Sequence, residues 1–128
     1  MKIKTSDLAG KPLNWAVAKC EGMNIDLIGI KDDDDPNKFW HNANNQAYQF
    51  STCWAFGGPI IEREKLEISP CYWNSDGWHW VAYVLGPCNL EDNFEYRGPT
   101  PLIAAMRCYV ASKIGDEVEI PDEIVDNL

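Results

Sequence analysis

The sequence has no apolar run approaching the length of a membrane span, no cluster of basic residues and no Cys-x-x-Cys pair. The first absence excludes a spanning helix, which needs about 20 consecutive apolar residues. The second, with a formal charge of -9, argues against affinity for nucleic-acid backbones, which depends on clustered Lys and Arg. The five cysteines (Cys20, Cys53, Cys71, Cys88 and Cys108) are odd in number and scattered, so neither a disulfide framework nor a zinc site is expected. Histidine is scarce: His41 and His79 stand alone and far apart, which leaves no metal cluster and no metal or cofactor to predict. Asp32-Asp33-Asp34-Asp35-Pro36 lacks the turn glycine and distal Glu of a calcium loop and reads as a solvated acidic turn. Gly57-Gly58-Pro59 lacks the spacing and the Lys of a phosphate loop, and no nucleophile elbow or triad spacing occurs. Met1-Lys2-Ile3-Lys4 runs into polar residues rather than a signal-peptide core, so a cytosolic protein is expected.

What remains is an ordinary soluble composition, 45% apolar over 128 residues, consistent with a single domain spanning 1–128. Aromatics are plentiful, with six Trp, five Tyr and four Phe, and such rings serve both cores and ligand pockets.

The clearest element begins at Thr100-Pro101. Thr100 is a good N-cap and Pro101 sits where a missing N–H costs nothing. Leu102 to Ile114 then runs uninterrupted to the stop at Gly115. Leu102, Ile103, Met106, Val110 and Ile114 form an apolar stripe, while Ala104, Ala105, Cys108, Ala111 and Ser112 make the opposite side small and uncharged. That back is expected to be covered, by another helix or by a second subunit, which leaves room for a homodimer. The helix start, just after Arg97 and Gly98, would suit an anion. Arg107, at the edge of the stripe, is either a snorkelling surface residue or a charge aimed at a pocket.

Elsewhere, Thr5 to Leu8 reads as a strand end or capped turn, and Pro12 opens a helix that runs to Cys20 and stops at Gly22. Asn24–Ile30 reads as a strand, and Lys31–Asn45 as a long loop whose Phe39 and Trp40 must fold back onto the body. Ser51 or Thr52 is expected to cap a short helix ended by Gly57-Gly58-Pro59, followed by a turn of helix and a strand up to Ile68. Asn74 to Gly77 is a turn signature ahead of Trp78–Leu85, the best strand in the chain, and together they predict an antiparallel hairpin. Gly86 to Gly98 reads as a polar loop, and Val118 with Ile120 as a short last strand before an acidic tail. These elements predict an α+β fold: a mainly antiparallel three- to four-stranded sheet with helices packed on both faces, an α-β-α sandwich.

The opening residues 1–8 with Leu13-Asn14-Trp15-Ala16-Val17-Ala18-Lys19, Tyr48 to Trp54 with Gly57 to Glu62, and above all Gly98-Pro99-Thr100-Pro101-Leu102-Ile103-Ala104-Ala105-Met106-Arg107-Cys108-Tyr109 resemble the phage NinX family. The resemblance implies a small accessory protein of tailed bacteriophages, made in the host bacterial cytoplasm, with an α-β-α sandwich. It brings no established activity and no catalytic residues.

Two functions follow from residue chemistry. One is binding of a small anionic ligand, nucleotide-derived in the phage setting, to counter host defence signalling, with no cofactor. Its candidate lining is Trp40, Tyr48, Ser51, Trp54, Arg97, Gly98, Thr100 and Arg107. The other is an acidic protein-interaction module that modulates a host or phage protein, with Asp32 to Asp35 and the acidic tail meeting a basic partner. Catalysis ranks behind both: Glu62, Glu64, Asp76 and His79 offer acid–base groups, but no spacing singles them out.

Overall fold

The computed structural model describes residues 1–22, 49–73, 77–84 and 95–122. The expectations for the strand at 24–30, the loop at 31–45 and the acidic tail after residue 122 lie outside them. Within them the chain is α+β, with two antiparallel sheets and three α-helices. In chain order these are β1 (Lys2–Lys4), a 3-10 turn (Thr5–Asp7), α1 (Gly10–Cys20), α2 (Trp54–Glu64), β2 (Leu66–Trp73), β3 (Gly77–Val84), β4 (Glu95–Gly98), α3 (Pro101–Lys113) and β5 (Glu117–Glu119).

The strong strand at Trp78 pairs as expected. β2 and β3 form a hairpin from Leu66↔Val84 to Trp73↔Gly77, and Gly77 takes the positive φ of 71° that a tight turn favours. The segment expected to be loop up to Gly98 contains β4 instead, paired to the other side of β3 from Trp80↔Gly98 to Tyr83↔Glu95. Its polar–apolar alternation, Glu95-Tyr96-Arg97, is real, but at four residues the strand is too short for that pattern to announce it. The order is therefore β2-β3-β4, and Pro70 falls on an edge strand, where a missing N–H is tolerated. Register places Ile68, Ala82 and Tyr96 on one face, and Ser69, Val81 and Arg97 on the other.

α3 lies on the first of these faces, against all three strands; α1 and α2 pack against α3, and α2 also meets β2. Its small residues Ala104, Ala105, Cys108 and Ala111 are buried by the chain itself, so they supply no argument for a second subunit. Val81, on the other face, is buried as well.

α1 starts at Gly10, two residues before Pro12, which occupies the first turn where its absent N–H is harmless. Leu13, Trp15, Ala16, Val17 and Ala18 are buried round the whole helix. α2 departs from expectation. It runs through Gly57, Gly58 and Pro59 to Glu64, its N-cap is Cys53, and no side chain caps it. The cause is tertiary: Gly57 lies so close to Leu102 and the Phe50 carbonyl that the helix is held by contact rather than by local preference.

The C-terminal ends of the three helices are tied by charge. Tyr109 donates to Glu21 (2.6 Å), and Arg63 donates to both Glu21 oxygens (3.0 and 2.7 Å) and to the Tyr109 hydroxyl (3.2 Å). Lys113 meets Glu64 at 2.9 Å. Partial burial opposes the Glu21 charge, but the hydrogen bonds from Arg63 and Tyr109 outweigh it and hold the carboxyl below its ordinary value. Lys113 and Arg63 likewise lower Glu64. Carboxyls depressed in the folded state stabilise it above their unfolded pKa, near 4.3, and lose that contribution as pH falls through the folded values. The melting temperature should therefore drop on acidification below about pH 4.3, and less steeply in Glu21→Gln; thermal melts between pH 3 and 6, followed by circular dichroism, would show equal slopes if the tie contributes nothing. Cys20, at the end of α1, has its thiol pushed up to about 11, chiefly by burial, which makes it a packing residue.

Candidate functional site

A cavity of about 790 Å³ opens beside β4, between the three-stranded sheet and a second, two-stranded one. The second sheet joins distant parts of the chain: β1 and β5 pair antiparallel, Lys2↔Glu119, Ile3↔Val118 and Lys4↔Glu117. Ile3 and Val118 face each other between oppositely charged neighbours, a cross-strand arrangement that favours this pairing. The Thr5 hydroxyl, donating to the Gly115 carbonyl at 2.6 Å, and the Thr5 amide, donating to Asp116 at 2.8 Å, continue the connection.

Lys4, Ser6, Asp116 and Glu117 line the cavity from this ladder and its flanks, Glu95 to Gly98 from β4, His79 from β3, and Arg107 from α3. Arg107 is fixed on two sides. Its Nε donates to the Leu8 carbonyl (2.7 Å) and its Nη1 to the Arg97 carbonyl (2.8 Å). Burial weakens the hold of Arg107 on its proton, and the charge of Asp7 only partly offsets this. Among the described residues no carboxylate reaches Arg107 within ion-pair distance. A half-buried guanidinium is thus held by neutral carbonyls, with N–H groups to spare in its planar fork. Arg97 is paired with Glu95 at 3.2 Å on the rim. Burial raises the Tyr96 phenol above its usual value.

Of the residues expected to line a site, Arg97, Gly98 and Arg107 come together here. Ser51 does not: it is buried, and its amide and hydroxyl both donate to Asn14. Trp54 stands at the start of α2, 54% exposed, outside the cavity lining. Trp40 and Tyr48 lie outside the described residues. Thr100 caps α3 as expected, its hydroxyl accepting from Ile103 at 3.1 Å. That capping occupies one of the amides at the helix start. Pro101 has no N–H, Ile103 is bound by Thr100, and the Ala104 amide is bonded to the Thr100 carbonyl at 3.1 Å. Gly98 sits against the same turn, where an added Cβ would come within 2.7 Å of the Ala104 nitrogen. The cation that α3 contributes to the cavity lining is Arg107, from further along the helix.

Lys4, Ser6, His79, Glu95, Tyr96, Asp116 and Glu117 were not singled out as a site by sequence reasoning. One signal existed: Lys-Ile-Lys near the start and Glu-Val-Glu near residue 118 are complementary patterns that ask to pair. Among the described residues no group of His, Cys, Asp and Glu is placed to hold a metal ion, and no helix is long and apolar enough to cross a membrane.

Residues 4–113 match the family described as Bacteriophage P22, NinX, which covers most of the chain and most of the cavity lining. No curated protein matches the chain.

Proposed function

Since this chain belongs to the bacteriophage P22 NinX family, we propose that it is a phage accessory protein whose work is to bind a small anionic ligand in the cleft beside β4. The observation that carries the reading is Arg107, a half-buried guanidinium lining a hollow of about 790 Å³ with no carboxylate paired to it among the described residues. Burying a cation is unfavourable unless an opposite charge compensates it. A ligand anion would supply that compensation, with Lys4 and Arg97 on the rim. The size suits one small molecule. In a phage protein of the host cytoplasm, holding a nucleotide-derived signal in this cleft would be one way to counter host defence.

A second reading is favoured by a separate surface. Tyr72 and Trp78, paired across the β2–β3 hairpin with ring centroids 5.2 Å apart, are both exposed, and large exposed rings on an acidic chain suit docking to a basic protein.

A panel of inorganic phosphate, carboxylates and nucleotides at millimolar concentration separates the two. Ligand binding to the native state should raise the melting temperature by several degrees for at least one anion. Arg97→Ala, an exposed position, should weaken that ligand about tenfold with an unchanged circular dichroism spectrum. No shift with any of the anions would remove the first reading and leave the second.

A further inference from the structure

Four charged side chains of the cleft make no ion pair among the described residues: the cations Lys4 and Arg107, and the carboxylates of Asp116 and Glu117. Lys4 and Glu117 are direct register partners across β1 and β5, so they leave the ladder on the same side, yet no contact within 4.0 Å joins them. Both signs of charge therefore border one hollow without cancelling each other.

That arrangement discriminates among anions. A polyphosphate would satisfy the cations but would bring several negative charges beside two carboxylates, in a chain of formal charge -9. A plain carboxylate would satisfy only Lys4 or Arg107. A molecule with a carboxylate at one end and an ammonium at the other meets both sets, and its carboxylate matches the planar fork of a guanidinium. Resting on the anion-binding reading above, we infer that the cleft takes a zwitterion of the amino-carboxylate class, its carboxylate on Arg107 and its ammonium on Asp116 and Glu117.

The test is a heteronuclear NMR titration of the full chain with ω-amino carboxylates from glycine to aminohexanoate. Alkyl carboxylates and alkylamines of matching length, and ATP, serve as comparators. At least one amino carboxylate should bind about tenfold or more tightly than its matched carboxylate, roughly 1.4 kcal/mol. The perturbed amides should cluster in β1, β4 and β5. Asp116→Asn combined with Glu117→Gln, both exposed, should abolish the preference for the amine while leaving carboxylate binding intact. Equal binding with and without the amine, or tighter binding of ATP, would overturn the zwitterion and leave anion binding standing. Absence of binding by amino carboxylates, carboxylates and ATP alike would remove both.

Discussion

Gly57→Ala is expected to destabilise the fold by about 3 kcal/mol or more, although helix propensity alone predicts the opposite sign. In an unconstrained helix that replacement stabilises by up to about 1 kcal/mol. Here the new methyl would lie 2.5 Å from Leu102 Cδ1 and 2.5 Å from the Phe50 carbonyl oxygen. The leucine can rotate; the backbone oxygen cannot move without shifting the turn that leads into α2. Gly58→Ala is the matched control. Its nearest neighbour would be Trp54 Cε3 at 3.9 Å, an ordinary contact, so the propensity gain of roughly 0.5–1 kcal/mol should appear there. Urea unfolding of the two variants should move the midpoint in opposite directions. Stabilisation by both would show that α2 does not press on α3 at Gly57.

Asn14→Ala should be the other severe change, at about 2–4 kcal/mol. The Asn14 Oδ1 accepts from the Ser51 amide at 2.9 Å and from the Ser51 hydroxyl at 2.7 Å, and all of these groups are buried. Truncation leaves two donors without an acceptor in the core, a larger penalty than the loss of the bonds themselves. Ser51→Ala removes one of those donors and should cost only about 1 kcal/mol. The double variant should then lose less than the sum of the single changes, because the orphaned hydroxyl is gone. Strict additivity in denaturant unfolding would mean that the pair is not coupled. Ser51 thus belongs to the scaffold: a serine before a helix reads as a cap, and here its hydroxyl is turned inward to α1.

The contrast between Ser51 and Thr100 marks how far the sequence is legible. Where local chemistry decides, it reads correctly. Thr100-Pro101 starts α3, Pro12 falls in the first turn of α1, and the strand-favouring residues from Trp78 give β3. Where contacts between distant segments decide, it misleads. Gly57-Gly58-Pro59 carries stop signals, yet packing against Leu102 keeps the helix going. Residues 95–98 carry an alternation too short to announce a strand, yet pairing along β3 recruits them. The site divides the same way. Arg97, Gly98 and Arg107 are close in sequence and were picked together, while the Lys4 and Asp116–Glu117 wall comes from chain segments that meet only through the β1–β5 ladder. Among the described residues, the uncharged back of α3 was rightly expected to be covered, and the chain covers it without help.

The ladder has a consequence for the order of events during synthesis. The backbone bonds that continue it join residues as far apart as Met1 and Ile120, a separation of 119 positions. Closing so large a loop carries an entropic penalty that nearby contacts do not bear, so this ladder belongs to the slow, late part of folding. β5 must also leave the ribosome before β1 has anything to pair with. A nascent chain can build its helical layer and hairpin early, but it acquires the second wall of the cleft only after β5 has emerged and found β1, so the cleft takes shape after the helices that border it.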